Sequence, residues 1–71
     1  MTRDDLLKHM ARCVHTHCEL DEELLITEVL ITQPARMVAM LSTAGRRRFT
    51  DPEFASFCLM CAKRVHAGGA A

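Results

Sequence analysis

LLITEVLIT, residues 24–32, admits two readings, and the fold class turns on which one holds. As a helix it extends an apolar segment that begins at Leu20 and takes in Leu24, Leu25, Ile26, Val29, Leu30 and Ile31. Asp21 or Glu19 starts that segment, and Glu22 and Glu23 suit the positive end of a helix. As a strand it is equally natural, because its Ile, Thr and Val are stiff, branched side chains that fit a pleated surface. Periodicity alone does not separate the two. The helical reading predicts a mainly α protein, a small bundle of three to four short helices; the strand reading predicts an α+β module.

The flanks read more plainly as helix. Upstream, Leu6, Leu7, Met10 and Val14 share a face, so a first helix is expected from about Arg3 to Val14, with Thr2 or Asp4 as its cap. Downstream, Pro34 sits where a missing N–H costs nothing, in the first turn of a third helix, PARMVAMLSTAG, that Gly45 would close. Thr50-Asp51-Pro52-Glu53 has the form of a capping box, opening a last helix that runs to about His66. The sequence therefore reads as one helical domain over residues 1–66 and a flexible tail over 67–71.

Seventy-one residues bury a small share of their unfolded surface, so a chain of this length needs a disulfide, a metal or a partner to be firmly stable. Residues 1–12 hold no apolar run of the secretory kind and no stretch reaches transmembrane length, which points to a cytoplasmic, thiol-reducing setting and away from disulfides. The net charge of zero hides a dipole. Residues 1–35 carry three basic against seven acidic side chains, and residues 36–71 carry six against two. Such a chain is able to pair with itself, meet an acidic partner, or neutralise its own halves on folding.

Four cysteines in two clusters supply the chemistry. Cys13 and Cys18 flank His15 and His17, and Cys58 and Cys61 lie one turn apart on the last helix. Cys13, Cys18, Cys58 and Cys61 are the candidate ligands of a structural zinc ion, with His15 and His17 as alternates. A continued first helix also aligns His9, Cys13 and His17 at four-residue intervals. Two other readings stay open: cysteine packs readily as a small buried hydrophobe, and an inter-helix disulfide is geometrically possible. Met37, Met40 and Met60 fall on apolar faces, so core packing accounts for them more simply than cuprous ion does.

The segment FCLMCAKRVH, residues 57–66, resembles the helix-borne half of a treble-clef zinc finger. That resemblance implies an α+β zinc module whose upstream knuckle supplies two ligands. Here four residues instead of two separate Cys13 from Cys18, the spacer is long, and no glycine-rich hairpin intervenes.

Catalysis is not expected. There is no glycine-rich phosphate loop and no serine elbow, and the carboxylates gather at helix starts, where capping explains them. No small-molecule substrate and no membrane partner are expected either. The expected role is a protein-interaction or regulatory module, an adaptor or inhibitor, that presents an apolar face including Met37, Met40 and Leu41 to another protein or to a second copy in a homodimer. The alternative is a DNA-binding regulator of helix-turn-helix type, with Arg46, Arg47 and Arg48 on phosphates. Its reading helix would be apolar at Phe54, Ala55, Phe57, Cys58 and Leu59, where base contacts call for Arg, Asn or Gln.

Overall fold

The computed structural model describes residues 3–43 and 48–69. Four helices follow one another: α1 (Arg3–His17), α2 (Leu20–Thr32), α3 (Pro34–Ser42) and α4 (Asp51–Gly69), with no strand among the described residues. The protein is a small mainly α bundle. α4 is about 28 Å long, nearly the full 32 Å of the molecule's longest dimension, and α1, α2 and α3 all pack against it.

LLITEVLIT is helix, and the α+β reading falls with it. Ile26 and Val29 enter the core three residues apart, Leu25 and Leu30 flank them half-buried, and Leu24 and Ile31 face outward. That is the burial pattern of one helical stripe, and packing of such a stripe outweighs the weak β preference of its branched residues. The start is reinforced by a reciprocal cap. Glu22 accepts a 2.9 Å hydrogen bond from the Glu19 backbone N–H while the Glu19 side chain accepts one from the backbone N–H of Glu22.

Gln33 turns the chain between α2 and α3. Its N–H donates to the Val29 carbonyl at 2.8 Å, closing α2, and its own carbonyl accepts from Met37 N–H at 3.1 Å, opening α3. Pro34 follows with no N–H to satisfy, so one non-helical residue (φ −137°, ψ 59°) serves both helices. The two axes differ by 111°. No single helix among the described residues is long and apolar enough to cross a membrane; α2 and α3 pass that test together only as this bent pair.

α1 runs three residues beyond Val14. Thr16 donates to the Arg12 carbonyl at 2.9 Å and Cys18 N–H to the Val14 carbonyl at 2.9 Å, so the HTH segment continues the helix despite its poor formers. α4 likewise continues past His66 to Gly69. Nothing lies within 4 Å of a side chain placed at Gly68, so that position faces open space. The capping box at α4 has the expected form: Thr50 N–H and hydroxyl donate to Glu53 Oε1 at 3.0 and 2.8 Å, and Glu53 N–H donates to Thr50 Oγ1 at 3.4 Å. These bonds hold the Glu53 carboxyl below its usual range. Gly45, expected to close α3, lies outside the described residues, and α3 ends at Ser42.

The core joins Met10, Cys13 and Val14 of α1, Ile26 and Val29 of α2, Met37 and Leu41 of α3, and Phe54, Ala55, Cys58, Cys61, Ala62 and Val65 of α4. No polar or charged residue is buried among those described. Truncating Ile26 or Leu41 to alanine is expected to cost about 2–5 kcal/mol, a large share of a small domain's stability. Thermal denaturation should show a fall in Tm for Ile26→Ala and Leu41→Ala, and almost none for Met60→Ala, whose side chain is exposed.

Candidate metal centre

The two cysteine clusters, remote in sequence, meet where α1 packs on α4. Cys13, Cys58 and Cys61 are buried and Cys18 is half-buried; all four are free thiols. Cys18 Sγ points to the Ala55 carbonyl at 3.9 Å, across 37 positions of sequence. Burial pushes the Cys58 thiol from its usual 9.0 up to about 12, reinforced by the neighbouring Cys61, Cys13 and Cys18 sulfurs. Burial likewise raises Cys61, against a lowering pull from Arg64. Cys18 is raised by burial and then by the Glu22 and Glu23 carboxylates. These are protonated thiols in an apolar setting, the opposite of an activated nucleophile.

The donor atoms that close on one another belong to a different set. His9, Cys13 and Asp51 each place one ligand atom within 4.8 Å of the others, and of the four cysteines only Cys13 belongs to that group. His9 and Cys13 stand one turn apart on α1, and both ring nitrogens lie 3.8 Å from Cys13 Sγ. Asp51 is the first residue of α4. Burial raises the Cys13 thiol, and the Asp51 carboxylate raises it further by charge and hydrogen bonding, while Arg12 pulls it down. The His9 ring stacks on Phe54 at 4.8 Å and 21°, and Phe54 adjoins Phe49, which stacks in turn on Phe57. The histidine plane is thereby held by an aromatic shelf.

The alternates expected at His15 and His17 are exposed and outside this group. His15 Nδ1 lies 3.5 Å from Glu23 Oε1, a surface contact. The stripe of His9, Cys13 and His17 keeps its first two members, and Asp51 stands with them where His17 does not. The sequence gives no sign of Asp51, because its neighbours Thr50 and Glu53 explain that stretch as a cap; only the docking of α4 on α1 brings its carboxylate to Cys13.

The expected interaction face needs correction. Met37 and Leu41 are fully buried, since α3 turns that side onto α4, and only Met40 of the three is partly exposed. The large apolar side chains that do face outward are Leu20, Leu24 and Ile31 of α2 and Met60 of α4. Arg46 and Arg47 lie outside the described residues, and Arg48 is exposed.

Comparison with protein-family models, curated proteins and solved structures returns no match for this chain.

Two outcomes follow from the thiol environments. Alkylation of the native, reduced protein followed by mass spectrometry should modify Cys18 first and Cys58 and Cys61 last, with the order erased in denaturant. Stability should also fall with alkaline pH. Above 9.0 the unfolded chain releases the Cys58 proton that the folded chain retains until about 12, so unfolding is favoured as pH rises through that window. Tm measured from pH 7.5 to about 10.5 in reductant should decline, and less steeply for Cys58→Ala.

Proposed function

We propose that the protein is a small interaction module, stabilised by a structural zinc ion, that binds another protein through the outer face of α2. The observation that carries this reading is a stripe left uncovered on that helix. Leu20, Leu24 and Ile31 are 69%, 58% and 74% exposed. Their spacing of four and seven residues, with Thr27 between, aligns them along one side of the helix in the pattern of a coiled-coil seam.

The rim of the stripe selects the partner. α2 carries Asp21, Glu22, Glu23 and Glu28 and no lysine or arginine. A second α2 laid against it would set carboxylates beside carboxylates, whereas an amphipathic helix with lysine and arginine along its edges matches both the apolar centre and the charged rim. Covering three aliphatic side chains contributes on the order of 5 kcal/mol, short of the roughly 8 kcal/mol of a micromolar complex. The charged rim must supply the difference, so binding should be salt-sensitive.

Support for the DNA-binding alternative is thinner. The exposed start of α4 presents Asp51 and Glu53, which repel phosphate, and the opposite side of that helix is core. Zinc suits the metal role because it accepts the nitrogen, sulfur and oxygen donors found together at the α1–α4 junction.

The chain has no tryptophan or tyrosine, so a tryptophan in a synthetic helical peptide reports binding without interference. A peptide with a leucine seam and a lysine rim should bind, weaken as salt rises, and lose about tenfold or more in affinity for the Leu24→Gln/Ile31→Gln double variant. Both substitutions are at exposed positions, so an unchanged Tm checks the fold. No binding, equal affinity for a glutamate-rimmed peptide, or affinity unchanged in the double variant would overturn the reading.

A further inference from the structure

We propose that the metal ion is held by His9, Cys13 and Asp51 at the rim of the α1–α4 junction, and not by the four sulfurs. The inference rests on the structural-metal reading above and assigns its ligands. Zinc bound by nitrogen, sulfur and oxygen at about 2.0–2.3 Å in a tetrahedron requires neighbouring ligand atoms roughly 3.3–3.8 Å apart. His9 nitrogen and Cys13 sulfur already stand at 3.8 Å, and Asp51 falls within 4.8 Å of both. Closing that gap would take an inward turn of the exposed Asp51 carboxylate and a turn of the His9 ring that brings one nitrogen to the ion, since both now stand equally far from the sulfur.

The setting favours an ion here over the interior. Cys13 is buried, His9 is half-buried and held flat against Phe54, and Asp51 is exposed, so the group is sheltered on one side and open to entry on the other. Cys58 and Cys61 are completely enclosed by apolar side chains. An ion drawn to them would enter the core, where the charge is costly to bury. At the rim, the thiol proton of Cys13 passes to solvent as the sulfur–metal bond forms, and the negative sulfur and carboxylate together balance the divalent charge. Three protein ligands would leave the fourth position to water, so this site is more open than the four-ligand sets typical of structural zinc. The ion would tie α1 to the first residue of α4 across 37 intervening positions and so restrict the long excursion of chain between them.

Cobalt(II) is the probe, because its bond to thiolate gives a charge-transfer absorption that zinc lacks. Metal-free, reduced protein titrated with cobalt should take up one ion with the intensity of a single thiolate. Alkylation of the loaded protein should then spare Cys13 and modify Cys18 as before. Affinity should drop about tenfold or more in His9→Gln and Asp51→Asn, and stay unchanged in Cys18→Ser and Cys58→Ser. His9 and Asp51 are at least partly exposed, so their variants should fold, as circular dichroism would verify; Cys18→Ser serves if Cys58→Ser does not fold. An absorption of several thiolates that is lost in Cys18→Ser or Cys58→Ser and indifferent to Asp51→Asn would overturn this ligand set and leave the metal reading standing. No cobalt uptake at all would overturn both.

Discussion

The packing of three helices onto one side of α4 is the contact on which everything else depends. Ala55, Cys58, Cys61 and Ala62 form a line of small, fully buried residues along that helix, with Phe54 and Val65 closing its ends. Small side chains let neighbouring backbones approach closely, and the larger Ile26, Val29, Met37 and Leu41 then fill the spaces opposite. Among the described residues no polar or charged side chain is buried in the core, so the cohesion of these helices comes from apolar burial.

Cysteine serves two physical purposes in this setting. Cys58 and Cys61 act as compact hydrophobes, and their burial holds them as neutral thiols. Cys13 is also buried, but it has an imidazole and a carboxylate close to its sulfur. The difference is one of neighbours: Cys13 has the half-buried His9 and the exposed Asp51 beside it, whereas Cys58 and Cys61 sit among the apolar side chains of the core.

The surface divides by element. α2 combines an acidic rim with uncovered leucine and isoleucine, while Lys63 and Arg64 lie on α4 next to the exposed Met60. The opposed charges of the two halves of the chain therefore remain displayed on separate helices, which gives the molecule direction in any association it makes.

Local rules in the amino-acid order determined the helix starts and the helical character of most of the chain. Thr50 and Glu53 form a cap because their spacing lets each reach the other's backbone, and Pro34 opens α3 because it lacks the N–H that a first turn leaves unused; both effects act within four residues. The clustering of Cys13, Cys18, Cys58 and Cys61 was foreshadowed by spacing, yet which donors would converge was not. Only tertiary packing decided three matters. It made LLITEVLIT a helix by giving Ile26 and Val29 a common core to enter, it turned Met37 and Leu41 inward and left Leu24 and Ile31 outside, and it brought Asp51 to Cys13 by docking α4 on α1. Each of these rests on contacts between residues far apart in sequence, and such contacts come into being only when the helices choose their neighbours.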